Sequence, residues 1–142
     1  MRICGVELTG NDAVVCLLEL IAGQFTLPEC RVRKISLPKE HSREDLQKFQ
    51  AAFTKLMQDY KVTNVVIRER MTKGKFAGGA VSFKMEAAIQ LIDEIGVDVM
   101  SPAAIKQSLA ENPLPIPFAD TGLKVFQEQA FTVAYAAHMS PQ

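Results

Sequence analysis

Two glutamates each close an otherwise apolar run. Glu7 follows Ile3-Cys4-Gly5-Val6, and Glu69 follows Val65-Val66-Ile67-Arg68. Period-two alternation sets Ile3, Gly5 and Glu7 on one face of a strand, and Val65, Ile67 and Glu69 on one face of another. A carboxylate on a buried strand is costly unless it is paired or bound to a cation. If the two strands are adjacent and parallel, the acids meet beyond the carboxyl ends of the strands, where open α/β sheets take their ligands. Two carboxylates there, with a third from a helix, are the hard oxygen ligands of Mg²⁺ or Mn²⁺.

Around Glu69 the chain is basic. Arg68, Arg70, Lys73 and Lys75 fall within eight residues, followed by Phe76-Ala77-Gly78-Gly79 ahead of a helix. Cations and free N–H groups at a helix start favour phosphate, and Phe76 can stack on an unpaired base. Arg31 and Arg33 are placed to extend this surface. The simpler alternatives are a solvated loop for the basic cluster and, for Glu7, a structural ion pair with Arg2 or Arg33. Gly74, Gly78 and Gly79 make no P-loop, since no Gly-Lys-Ser/Thr follows. Neither His41 nor His138 has a nucleophile beside it, so a Ser or Cys hydrolase has no support.

Positioning these groups requires a sheet. Arg2–Leu8 and Ala13–Leu20 read as a hairpin across Thr-Gly-Asn-Asp, and Cys30–Leu37 as a third strand. Ser42 with Asp45 makes a capping box for a helix carrying Leu46, Phe49, Phe53, Leu56 and Tyr60 on one stripe. Thr63–Glu69 is a strand buried on both faces and parallel to the first. A helix over Gly79–Ile95 ends at Gly96, and Val97–Met100 is a fifth strand. Ser101-Pro102 caps a further helix. Prolines 113, 115 and 117 then force an extended connector, and a last helix, apolar on nearly all sides from Ala130 to Ala137, starts near Asp120 or Thr121. Phe49, Phe53, Phe83 and Phe126 are assigned to the core. Cys4, Cys16 and Cys30 lack metal or redox spacing and read as reduced core thiols. The order β-β-β-α-β-α-β-α-α specifies one α/β domain over residues 1–142, with a five-stranded mixed sheet of three antiparallel and two parallel strands covered by helices.

This order, with Glu7 and Glu69 in their places, resembles the ribonuclease H-like superfamily and within it the RuvC-like Holliday-junction resolvases. The resemblance covers nearly the whole chain. Ser101-Pro102-Ala103-Ala104-Ile105-Lys106-Gln107 looks like the segment leading to that family's DNA-contacting lysine. Glu128 aligns with the acids of its last helix, and Asp120, most simply an N-cap, is the second choice. The chain departs from the resolvases in carrying Glu7-Leu8-Thr9-Gly10 where they have Asp and a Pro-Gly or similar turn. It also has Val125 three residues before Glu128, where they have closely spaced acids. Within that group it also looks like a small uncharacterised bacterial family of unknown function.

The resemblance implies a nucleic-acid-binding protein, DNA ahead of RNA, that acts as a structure-selective nuclease if its acids are complete. Glu7, Glu69 and Glu128 would hold Mg²⁺ or Mn²⁺ for phosphodiester hydrolysis, and Lys106 would offset charge on the phosphate. The alternative is a catalytically incomplete binding or assembly module of the same fold, and a third reading is a phosphometabolite-binding protein using the glycine loop. A homodimer through the helices is expected. Sixteen Lys and Arg against sixteen Asp and Glu give zero net charge, so any nucleic-acid role rests on a local patch. The longest apolar stretch, Ala13–Ala22, is interrupted by Glu19 and too short for a membrane span. The first residues lack the pattern of a signal peptide, so the expected address is the cytoplasm.

Overall fold

The computed structural model describes residues 1–75 and 77–140. Its strands are β1 (Arg2–Thr9), β2 (Asp12–Ile21), β3 (Gln24–Thr26), β4 (Lys34–Ser36), β5 (Asn64–Arg68) and β6 (Gly96–Met100). Its helices are α1 (Arg43–Asp59), α2 (Ala80–Gln90), α3 (Pro102–Glu111) and α4 (Glu128–Met139), with 3₁₀ turns at Phe118–Thr121 and Val125–Gln127. One sheet runs in the order β3-β2-β1-β5-β6, and β4 also pairs with β2. The β1–β2 and β2–β4 pairs are antiparallel, while β1–β5 and β5–β6 are parallel. This is the mixed α/β fold expected, with six strands instead of five because the short β3 joins the edge of β2. Among the described residues no helix is long and apolar enough to cross a membrane.

Local chemistry sets several boundaries. Gly10, at φ 57°, turns the β1–β2 hairpin. The Ser42 hydroxyl accepts from Asp45 N–H and the Asp45 carboxylate from Ser42 N–H, which completes the capping box of α1. Ser101 Oγ accepts from Ala104 N–H at the start of α3. Three boundaries differ most from expectation. The strand expected over Cys30–Leu37 spans only Lys34–Ser36. The second helix stops at Gln90, and Gly96 instead opens β6, where its N–H donates to Thr63 O at 2.8 Å. The last helix begins at Glu128, because Gly122 at φ 80° breaks the chain between two 3₁₀ turns.

The sheet separates two apolar layers. Cys4, Val6, Leu8, Val65 and Ile67 pack with α1 and α2 on one face, while Ile3, Val14, Val66 and Ile105 pack with α4 on the other. Cys4 and Cys16 are buried and Cys30 half-buried, all free thiols. At its far edge the sheet ends in β6, where Asp98 and Val99 are exposed.

The tightest contact lies between α4 and β1. A Cβ placed on Gly5 would collide with the backbone oxygen of Ala130 and come within 2.8 Å of the Ala134 Cβ. Both obstacles belong to the helix itself and cannot rotate away. Gly5→Ala is therefore expected to lose about 3 kcal/mol of stability through overpacking, a fall in Tm of roughly 10 °C by calorimetry.

Candidate functional site

The β1–β5 register decides which predicted residues meet. Gly5 pairs with Val66 and Val6 with Ile67. One step further, Glu7 stands beside Arg68, and Glu69 falls beside Leu8, on the opposite face. Glu7 thus shares the α4 side with Ile3, Gly5 and Val66. Glu69 lines a cavity with Arg70, Lys73, Phe83 and Glu86 on the α2 side. The meeting of Glu7 and Glu69 on one face does not occur, because a one-residue step in register moves a side chain to the other face of a sheet.

What gathers instead is a row across the sheet end on the α4 face. Lys34 pairs with Val14, Val14 with Glu7, and Arg68 with Met100. The row therefore reads Lys34, Val14, Glu7, Arg68, Met100. Three strand spacings put Lys34 and Arg68 about 14 Å apart with the Glu7 carboxylate between them. Beside Arg68, a crevice of about 350 Å³ is lined by Lys106 and Ile105 of α3 and by Glu128, Gln129 and Thr132 of α4. Glu128 occupies the first turn of α4, where the helix end favours a negative charge. Burial raises the Glu7 carboxyl above the usual carboxylate range, and the neighbouring Arg68 opposes that rise.

These acids do not fit a shared divalent ion. Glu69 is on the wrong face, and among the described residues no three His, Cys, Asp or Glu side chains come together to hold a metal. Asp120 lies exposed on the first 3₁₀ turn, its N–H bonded to Pro117 O.

The basic loop after Glu69 divides as well. Lys73 and Lys75 are exposed. Arg70 is not: its side chain is 9% exposed, 3.3 Å from Glu86, donates to Ser82 Oγ at 3.1 Å and lies over the Phe83 ring at 4.5 Å. Its Nη2 is buried without a hydrogen-bond partner among the described residues. Arg70 thus anchors the loop to α2 and does not present its charge outward. Phe76 lies outside the described residues. Arg31 pairs with Asp59 at 2.7 Å and sits over Tyr60. The Tyr60 backbone oxygen accepts from Arg2 at the start of β1, so Arg31 stands at the other end of the sheet from Glu7. Arg33 is exposed, and its backbone oxygen accepts from Val15 N–H.

Two residues of this surface escaped the sequence reading. Lys34 enters through the β2–β4 register, which no local pattern encodes. Phe126, expected in the core, is 48% exposed, with the Lys34 ammonium 5.9 Å from its ring centre.

Residues 1–137 match the family described as "Protein of unknown function (DUF3010)". No curated protein sequence matches. Among solved structures, RuvC of Thermus thermophilus superposes with a TM-score of 0.74 at 12% identity, covering 98% of this chain and 94% of that one. The same protein in complex with a Holliday junction substrate gives 0.73 at 13% identity, with the same coverage. The Fowlpox virus resolvase in complex with Holliday junction DNA gives 0.54 at 11% identity, covering 98% and 97%. At these identities the likeness is one of fold, and that fold is the RuvC-like, ribonuclease H-like one.

Two measurements follow from the site's electrostatics. Arg70→Ala leaves Glu86 unpaired and unties the loop, so urea unfolding should show a loss of about 2 kcal/mol. Lys73→Ala on the same loop should stay within about 0.5 kcal/mol of the parent; equal losses would mean that Arg70 is no anchor. The raised Glu7 carboxyl costs stability only where it is ionised, so the cost is absent below about pH 4 and grows as pH rises through the folded value. Glu7→Gln should accordingly raise Tm at about pH 7.5, with the gain fading as the pH is lowered toward about 4. A gain independent of pH would assign it to packing.

Proposed function

The chain belongs to the DUF3010 family, and from that membership and the site above we propose a nucleic-acid-binding protein selective for branched or unpaired structure, DNA ahead of RNA. The observation that carries this reading is the row Lys34–Val14–Glu7–Arg68 on the α4 face, with Lys106 and Glu128 in the crevice beside it. Its support from the comparisons is the shared fold and the fact that two of those proteins were solved with Holliday junction DNA.

Charge placement suggests how such a strip discriminates. Arg68 and Lys106 attract phosphate at the crevice, and Lys34 attracts it at the other end. Between them, Glu7 and Glu128 repel phosphate, so a continuous duplex backbone laid across the strip meets like charge at its middle. A strand that parts at a junction can bring phosphates to both flanks while offering base edges to the carboxylates, which accept hydrogen bonds from exocyclic amines. With Glu69 on the opposite face and no three such acids gathered among the described residues, the protein recognises its substrate without cleaving it.

Fluorescence anisotropy with a labelled four-way junction and a duplex of equal length tests this. The junction is expected to bind about tenfold tighter. Arg68→Ala and Lys106→Ala should each weaken binding several-fold and lower the slope of log affinity against log salt by about 0.9. Equal affinity for both substrates, or binding indifferent to both substitutions, overturns the proposal. Cleavage in Mg²⁺ or Mn²⁺ that is lost in Glu69→Gln would overturn its non-hydrolytic part.

A further inference from the structure

The sequence Val125-Phe126-Gln127 is exposed in the reverse of its polarity. Val125 is 84% exposed and Phe126 48%, while Gln127 is 6% exposed. Gln127 is buried because its amide ties the turn to the sheet: Nε2 donates to Val15 O at 3.0 Å, and Oε1 accepts from Lys124 N–H at 3.0 Å. A third bond, Gln127 N–H to Lys124 O at 2.9 Å, closes the turn. The backbone carrying Phe126 is thus fixed to the edge of β2 while the ring is left in solvent.

The surroundings of the ring are cationic. Lys34 lies 5.9 Å from the ring centre and is drawn toward Asp12 at 3.7 Å. Lys124, two residues before the ring in the chain, is exposed. The ring stands at the Lys34 end of the charged row and two residues before Glu128. Two apolar side chains are too few for the core of a protein–protein interface, whose centre is also depleted of charge. An aromatic face held rigidly among cations suits a nucleobase, which brings a π-face and a phosphate together.

We propose that Phe126 is a stacking platform for one unpaired base, flanked by Lys34 as a phosphate contact. This rests on the nucleic-acid reading and adds to it a position and a substrate feature: a nucleotide extruded from the duplex near a branch. Stacking of this kind needs no particular base, so the subsite reads the absence of pairing and not sequence.

The chain contains no tryptophan, so Phe126→Trp introduces a single fluorophore at the platform. A duplex bearing one bulged nucleotide is compared with the same duplex carrying an abasic residue at the bulge, using the whole chain. The parent protein is expected to bind the base-bearing bulge about tenfold tighter than the abasic one. Phe126→Ala should erase that difference while leaving affinity for the abasic duplex unchanged. Phe126→Trp should keep the difference and lose emission on binding the base-bearing bulge only. A preference that survives in Phe126→Ala, or unquenched emission while anisotropy reports binding, overturns the platform and leaves the nucleic-acid reading standing. Self-association that rises with concentration and disappears in Phe126→Ala also overturns it, in favour of a second copy on this face. Binding to none of these duplexes, nor to the four-way junction, overturns both.

Discussion

The close approach of α4 to β1 at Gly5 is the constraint on which the α4 half of the molecule depends. With no Cβ at Gly5 and only methyl side chains at Ala130 and Ala134, the helix rests directly on the strand. That contact fixes where the helix starts relative to the sheet end, and so places Glu128 near the level of Glu7. It also brings Gln127 against the edge of β2. α3 then packs on α4, with the Ser108 hydroxyl donating to Ala136 O and the Tyr135 hydroxyl 3.0 Å from the carbonyls of Asn112 and Pro113. Lys106 reaches the crevice through this chain of contacts.

Much of this architecture was legible where it is decided locally. Ser42 and Asp45, or Ser101 before Pro102, announce helix starts because the cap is made within four residues. The limits come where a pattern continues past the structure it describes. Leu91, Ile92 and Ile95 prolong the apolar period of α2, yet the helix ends at Gln90 and the next residues turn toward β6. β3 has three residues, too few for any period to register, and exists because the edge of β2 offers it partners.

The site was legible in its residue types and less so in their arrangement. Arg68, Lys106 and Glu128 line one crevice and Glu7 stands beside Arg68, while Glu69 is carried to the opposite face by register, a property of two strands that neither contains alone. Burial was similarly hidden. Arg70 and Lys73 look alike in the sequence, but only Arg70 has Phe83, Ser82 and Glu86 one and two turns into α2 to receive it. Phe126 reads as a core residue of the last helix, and the anchoring of Gln127 on Val15 leaves it and Val125 facing outward.

The outermost strand, β6, has a further consequence. Among the described residues no strand lies beyond its outer edge, whose backbone donors and acceptors are a template for adding the same strand from another copy. It is five residues long, begins with Gly96 and has the exposed Asp98 at its centre. Any two-fold antiparallel pairing of two such edges about that centre would set one Asp98 carboxylate against the other, a destabilising opposition of like charge. A single acid at the centre of the strand thus disfavours that register of edge-to-edge pairing.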